Sequence, residues 1–305
     1  MSTGKKAILL FLFLGLMSPL EGGARHLKVK TSIFPLMDFA RQVAGDRAEV
    51  SLLLPPGVDV HTWQPRPGDM LALSKADLFL FCGGSLEPWA EGLIKNYRNS
   101  GGQVLEAGAG LATLKNGFDP YREHSSGATD PHVWLDFGRS ETIVRRIEGK
   151  LAELDPEGKV LFHRRAQTLI EKLRALDNEF QKKLQNCRQR TVVLAGHAAF
   201  GYLASRYRLV QVSVSGLSPD AEPGPRRVVR IVDMMRREGL TSIFYIKNES
   251  RKLAEVLARE TGAGLLPLNP AHNLTRDELR SGLTFLDIMK ENLDSLSRGL
   301  SCAEK

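Results

Sequence analysis

The chain has 305 residues, with 42 Lys+Arg against 35 Asp+Glu for a formal charge of +7, and 42% of its residues are hydrophobic. This balance excludes a disordered or acidic solvating chain, and a mean hydropathy of −0.19 excludes a polytopic membrane protein. Three cysteines, Cys82, Cys187 and Cys302, are too few for a disulfide-built scaffold and show no CxxC spacing.

At the start, Lys5 and Lys6 precede an uncharged run of 14 residues, 7–20 (AILLFLFLGLMSPL). A spanning helix needs roughly 20, so the run reads as the h-region of a secretory signal. Gly22 and Ala24 supply a small-x-small cleavage pattern, making residues 1–24 a signal peptide. No cysteine stands where a lipoprotein would need one, so the expectation is a soluble periplasmic protein. The basic pairs, such as Arg145 with Arg146 and Arg226 with Arg227, are dispersed among acids on helix-like segments. They read as solvated faces, not as a nucleic-acid surface.

Residues 28–33, 49–54, 78–81 and 103–106 read as strands, and 35–43, 71–75 and 87–96 as helices. Strands alternating with helices imply βαβ units and a mainly parallel sheet, giving a first α/β lobe over residues 25–154. Within it, 115–129 reads as an exposed loop and 139–154 as a helix. Asp155 followed by Pro156 is a helix-start signal. Beyond it Leu161, Leu169, Leu173, Leu176, Phe180 and Leu184 form one apolar stripe. A linking helix of about 30 residues, roughly 45 Å long, is expected over 155–187. Strands at 191–195, 210–215, 242–246 and 264–268 then alternate with helices at 199–207, 226–238 and 252–261, and 275–296 reads as the closing helical region. The fold class is therefore α/β, with two similar lobes of mainly parallel sheet, the second over 188–305, bridged by one long rigid helix.

No HExxH, GxSxG, Walker A or GxGxxG pattern occurs. Instead, three histidines read as lying at or just beyond strand ends, where open α/β sheets bind ligands. His61 follows strand 49–54 through Pro55, Pro56 and Gly57; His132 lies in DPHVWLD; His197 directly follows strand 191–195. Three neutral imidazoles suit Zn²⁺ or another borderline divalent ion. Taken singly, each has a structural role open to it. His61 fits a turn, His132 fits packing against Trp134 beside an Asp136 cap, and His197 fits a cap on the next helix. The same setting in both halves favours convergence. His26, His124, His163 and His272 lack that setting; His163 is expected to be solvated, and His124 lies in the loop.

The segments PPGVDVHTWQPRPGDM (55–70), DPHVWLD (130–136), AGHAAFGYLASRYRL (195–209) and SPDAEPGPRRV (218–228) resemble the zinc- and manganese-binding proteins of ABC transporters. This is the cluster A-I, ZnuA/TroA-like solute-binding family, and the likeness runs from about residue 28 to 296. The resemblance implies a non-enzymatic, monomeric protein that holds a metal ion between two lobes and delivers it to a membrane permease. It assigns His61 and His132 as ligands from the first lobe and His197 from the second. Where the family often carries an Asp after its last strand, this chain has Asn269, so the fourth donor stays open between Asn269, His272, Asp59 and water. The imidazole set favours Zn²⁺, while the shortened loop holding His124 keeps Mn²⁺ in play.

Several other features fit this frame. The turn of Asp220, Ala221, Glu222 and Pro223 reads as a cap for helix 226–238, with support of a ligand as the weaker reading. Trp63, Trp89 and Trp134 read as core or cleft wall. Cys187 and Cys302 are able to pair in an oxidising compartment, whereas Cys82 reads as a free apolar residue. The competing function is a secreted zinc hydrolase with Asp59 or Glu222 as base. Nothing repetitive or exposed and apolar supports an adhesive role.

Overall fold

The run Leu78–Phe81 is buried at every position, as only a strand covered on both faces is, and it anchors the first of two sheets. In this computed structural model, which describes residues 26–115, 128–217 and 224–303, that sheet contains β1 (Leu27–Thr31), β2 (Ala48–Leu52), β3 (Leu78–Phe81) and β4 (Gln103–Glu106). The strand order is β2-β1-β3-β4 and every pairing is parallel. Helices α1 (Phe34–Ala44), α2 (Pro67–Ser74) and α3 (Ala90–Asn99) connect them. Pro35 sits in the first turn of α1, where its missing N–H costs nothing, and Gly45 ends the helix at φ +58°.

The second sheet repeats this plan. β5 (Thr191–Ala195), β6 (Val210–Ser213), β7 (Ser242–Ile246) and β8 (Gly264–Leu268) are parallel in the order β6-β5-β7-β8. Each sheet thus has a topological switch point, between β1 and β3 and between β5 and β7, and the loops leaving the strands' carboxyl ends there are free to bind a ligand.

Between the lobes run α4 (Phe137–Leu154) and α5 (Lys159–Leu184). Asp155 accepts from the Gly158 N–H and also pairs with both arms of Arg47 at 2.5 and 2.8 Å. The residues after it first make a 3-10 turn, Pro156–Gly158, so the helix proper has 26 residues and spans about 39 Å. Its buried stripe starts from Phe162, not Leu161, and continues through Leu169, Leu173, Leu176, Phe180 and Leu184.

The closing helical region holds two helices. Gly282 at φ +75° separates α9 (Arg276–Arg280) from α10 (Phe285–Gly299), and each begins with its own capping box, Thr275 with Glu278 and Thr284 with Asp287. α10 returns to the first lobe: the Phe285 N–H donates to Asp38 at 2.9 Å, and its ring meets Phe39 edge-on at 5.1 Å. One core runs from Leu27 to Leu300 through both lobes and α5. A second lies between the outer face of the second sheet and the helices α7 (Pro225–Glu238) and α8 (Lys252–Thr261). Cys187 and Cys302 form a disulfide that ties the end of α5 to the end of α10, while Cys82 is buried and free. Among the described residues no helix is long and apolar enough to cross a membrane.

Candidate metal centre

Three loops bring the site together, each shaped by a carboxylate. In the loop after β2, Gly57 takes φ +77°, and Asp59 Oδ1 accepts the His61 N–H at 2.8 Å. This side-chain turn aims His61 inward. Trp89 pins the same loop by donating to the Val60 carbonyl at 2.9 Å, with Trp63 edge-on against it at 4.6 Å. The tryptophans are therefore wall, as expected.

His132 corrects one expectation, for it does not follow a strand. Asp130 and Pro131 lead directly into a 3-10 turn, Val133–Leu135, and then α4, whose first N–H groups are capped by Asp136. Asp130 Oδ1 accepts both the backbone N–H of His132 at 2.9 Å and its Nδ1–H at 2.8 Å. Pro131 cannot donate, so this doubly bonded aspartate, not a strand ladder, sets the conformation. His132 is fully buried and meets Trp134 edge-on at 5.4 Å.

His197 stands two residues beyond β5 and is not a helix cap. Its Nδ1–H donates to Glu249 Oε1 at 2.7 Å, from the turn after β7. The close approach needs Gly196 beside it, since a Cβ there would lie 3.0 Å from Ile246 and 3.1 Å from Glu249.

The result is convergence. Ligand-capable nitrogens of His61, His132 and His197 all lie within 4.8 Å of one another, and ring centroids are 5.3 to 5.5 Å apart. Nε2 of each is buried without a hydrogen-bond partner. For His132 and His197 the carboxylate on Nδ1 fixes the tautomer, leaving the Nε2 lone pair pointing into the site. Burial, reinforced by the neighbouring imidazoles, pushes His61 down to about 2 and His132 well below its ordinary value. Burial pushes Asp130 up to about 7. Three ring nitrogens buried together without partners are costly unless something engages them, and a borderline divalent cation fits that need.

The three residues considered for a fourth donor differ in what they do. Asn269 Oδ1 accepts the Ala271 N–H at 2.9 Å, and its backbone exchanges two 2.8 Å bonds with Asn292. That carboxamide oxygen is engaged in holding its own turn. Asp59 has the His61 N–H on one oxygen and His272 Nε2 3.6 Å from the other. Burial works to raise this carboxyl, but His272 and His61 outweigh it and hold it at about 2, so it is ionised. His272 has its ring 6.2 Å from His61 and 5.8 Å from His197, with Nδ1 buried and unpartnered. Neither Asp59 nor His272 belongs to the 4.8 Å group of three.

The lobes are stitched together around the cluster. Trp134 Nε1 donates to the Pro270 carbonyl at 2.7 Å, Phe34 N–H to the His272 carbonyl at 3.2 Å, and Asn273 Nδ2 to the carbonyls of Pro55 and Val58 at 2.9 and 2.5 Å. Segment 270–274 of the second lobe therefore forms part of the first lobe's wall. Elsewhere, His163 is exposed and pairs with Glu148 at 2.7 Å, while His124 and the turn at 220–223 lie outside the described residues. Sequence reasoning assigned no role to Asp130 or Glu249. Asp130, two residues before His132, carried a local signal; Glu249 carried none.

The family described as zinc-uptake complex component A, periplasmic (ZnuA) matches residues 29–299. The zinc-binding protein AdcA of Streptococcus pyogenes is 33% identical over 285 residues, covering 88% of this chain and 55% of that protein. The chain thus spans about half the length of this relative. The high-affinity zinc uptake system protein ZnuA of Bacillus subtilis is 31% identical, over 90% of this chain and 88% of its own. Among solved structures, the Zn(II)-bound ZnuA-like domain of Streptococcus pneumoniae AdcA superposes with a TM-score of 0.76 at 32% identity, covering 90% of this chain and 99% of that one. The laminin-binding protein Lmb of Streptococcus agalactiae, described as having adhesin and metal transporting activity, gives 0.80 at 30% identity, with the same coverage. A match over residues 29–299, together with two parallel-sheet lobes closing on a histidine cluster, places this chain in the ZnuA family of periplasmic zinc-uptake components.

Proposed function

We propose that this protein is an extracytoplasmic solute-binding protein that captures Zn²⁺ between its lobes, as a monomer, and delivers it to an ABC permease. His61, His132 and His197 hold the ion through Nε2. The observation that carries the reading is the set of three buried, unpartnered Nε2 atoms in histidines drawn from both lobes. The relatives named for zinc binding and zinc uptake support the same cargo. Imidazole donors favour Zn²⁺ over Mn²⁺.

Binding is favoured over zinc-dependent hydrolysis by the surroundings of the cluster. A hydrolase needs a free base beside a metal-bound water, and Asp59 is instead engaged with the His61 N–H and faces His272. The test is a thermal melt of the metal-free protein at neutral pH. Zn²⁺ at 100 times its dissociation constant should add about 2.7 kcal/mol of stability. His132→Ala should abolish that gain, and no shift in the unaltered protein would sink the proposal. Light scattering with and without Zn²⁺ checks the monomer.

A further inference from the structure

His132 and His197 come from different lobes, and an ion joins them cheaply only if their loops already stand at the right separation. A chain of hydrogen bonds outside the histidine cluster also connects the two, and it runs through Tyr202. This tyrosine lies on α6 (Gly201–Arg206), which begins four residues after His197, and it is 1% exposed. Its phenol oxygen accepts the Thr113 N–H at 2.7 Å and the Leu114 N–H at 3.0 Å, from the first-lobe segment that follows β4. A tyrosine that only fills a core needs one partner for its hydroxyl. This one takes two donors from a segment otherwise open to solvent, since Thr113 and Lys115 are exposed.

From Leu114 two further bonds reach His132. The Leu114 carbonyl accepts the Asp130 N–H at 2.8 Å, beside an antiparallel bridge between Lys115 and Thr129, and Asp130 Oδ1 holds His132 by both its backbone and its ring. In the second lobe, the Ala198 N–H donates to the Gly216 carbonyl at 2.6 Å and the Phe200 N–H to Gln211 Oε1 at 2.7 Å, so His197 and Tyr202 are fixed as one piece. Arg139 reinforces the clasp: its guanidinium lies 4.6 Å over the Tyr202 ring and donates to the Leu111 carbonyl and to Thr113 Oγ1. Four residues along the same helix face, Arg206 Nη1 donates to Asp136 Oδ1 at 3.0 Å. α6 thereby grips the His132 turn on both flanks.

We infer that Tyr202 is a positioning residue for the metal site: it fixes the His132 loop of the first lobe against the His197 loop of the second, so that the ion meets two imidazoles already set with ring centroids 5.3 Å apart. This rests on the zinc-capture reading above and deepens it. Without the phenol oxygen, the Thr113 and Leu114 N–H groups must turn to water for partners. The segment then carries the Leu114 carbonyl and Asp130 with it, and restoring the loop offsets part of the binding energy.

Competition for Zn²⁺ against a chelator, on variants shown by circular dichroism to be folded, tests this. Tyr202→Phe should weaken Zn²⁺ binding about tenfold, the lower end of the loss when an outer partner of a metal ligand is removed. Tyr97→Phe separates positioning from stability. It removes a similarly buried phenol bond, to the Ala76 carbonyl at 2.8 Å, that leads to neither histidine. That variant should melt at a lower temperature with its Zn²⁺ affinity unchanged. Should Tyr202→Phe fail to fold, Arg139→Gln loosens the same segment from a partly exposed position and should weaken Zn²⁺ in the same direction. Unchanged affinity in the folded variant, or equal losses in Tyr202→Phe and Tyr97→Phe, would overturn the inference while leaving zinc capture intact. Failure of the unaltered protein to bind Zn²⁺ would instead remove the reading beneath it.

Discussion

Glu249 accepts a 2.7 Å hydrogen bond from Nδ1 of His197, although 52 residues separate them in the chain. The bond does for the second lobe what Asp130 does for the first at His132, fixing which ring nitrogen keeps a free lone pair. One partner is local and one is distant, yet the geometry is the same.

If Glu249 orients His197, removing it should cost metal affinity without unfolding the protein, because its side chain is only three-quarters covered. Glu249→Ala is expected to weaken Zn²⁺ binding roughly 10–100-fold, with Glu249→Gln falling between, since the amide oxygen still accepts Nδ1–H but carries no charge. Titration against a competing chelator measures this, and equal affinities in all three proteins would dismiss the orienting role.

The depressed imidazoles predict a weak dependence of binding on pH. Two ordinary imidazoles with values near 6.5 would lose roughly 100-fold in affinity to proton competition between pH 7.5 and 5.5. His61 is held at about 2 and His132 well below its ordinary value, so protons compete poorly at either nitrogen in that window. Calorimetry across the range should show a much smaller loss.

The same shifts act on stability with a definite sign. Below about 6.5 the unfolded chain takes up protons at these histidines while the folded chain does not. Their contribution to stability is therefore fully present above that value and declines as pH falls toward the folded-state values. His61→Asn removes one of the two contributions, so the denaturant midpoint of the metal-free variant should fall less, or rise more, between pH 7 and 5 than that of the unaltered protein, while Asp130 and Glu87, pushed up to about 7, act with the opposite sign in both.

The disulfide spans 115 residues and joins the ends of two core helices. Loop-closure entropy for that length corresponds to about 4–5 kcal/mol, an upper figure if the reduced chain retains structure. Cys187→Ala with Cys302→Ala should lower the melting temperature while the increment produced by Zn²⁺ stays the same, because neither cysteine touches the cluster. Calorimetry with and without metal separates the two effects.

Trp134 Nε1 bonds the Pro270 carbonyl across the lobes with both residues buried. Trp134→Phe leaves that carbonyl unsatisfied and should cost about 1–3 kcal/mol of stability. A melting temperature equal to that of the unaltered protein would show that the bond contributes nothing net.

Much of the fold was legible because strands and helices are local patterns. The apolar run at 78–81 and the alternation that follows fixed four strands per lobe, and the cap at Asp155 with the stripe beyond it marked the linking helix to within a turn. The closing helical region was legible, but its division into two helices follows from the separate capping boxes at Thr275 and Thr284. At the site, His61 and His197 were readable from strand ends and turn residues. His132 was found through its motif but misplaced, since an Asp-Pro turn and a strand end look alike without a ladder to test them.

By itself the sequence determined two α/β lobes, a long helix between them and the three histidines to watch, because hydrophobic period, caps and turn residues act over a few positions. The tertiary structure alone decided that Glu249 serves His197, that Asn269 spends its oxygen on its own turn while His272 keeps a free nitrogen beside the cluster, and that Cys187 pairs with Cys302. The Glu249 and Cys302 pairings depend on side chains that meet across 52 and 115 residues of chain, and no local pattern encodes such a meeting.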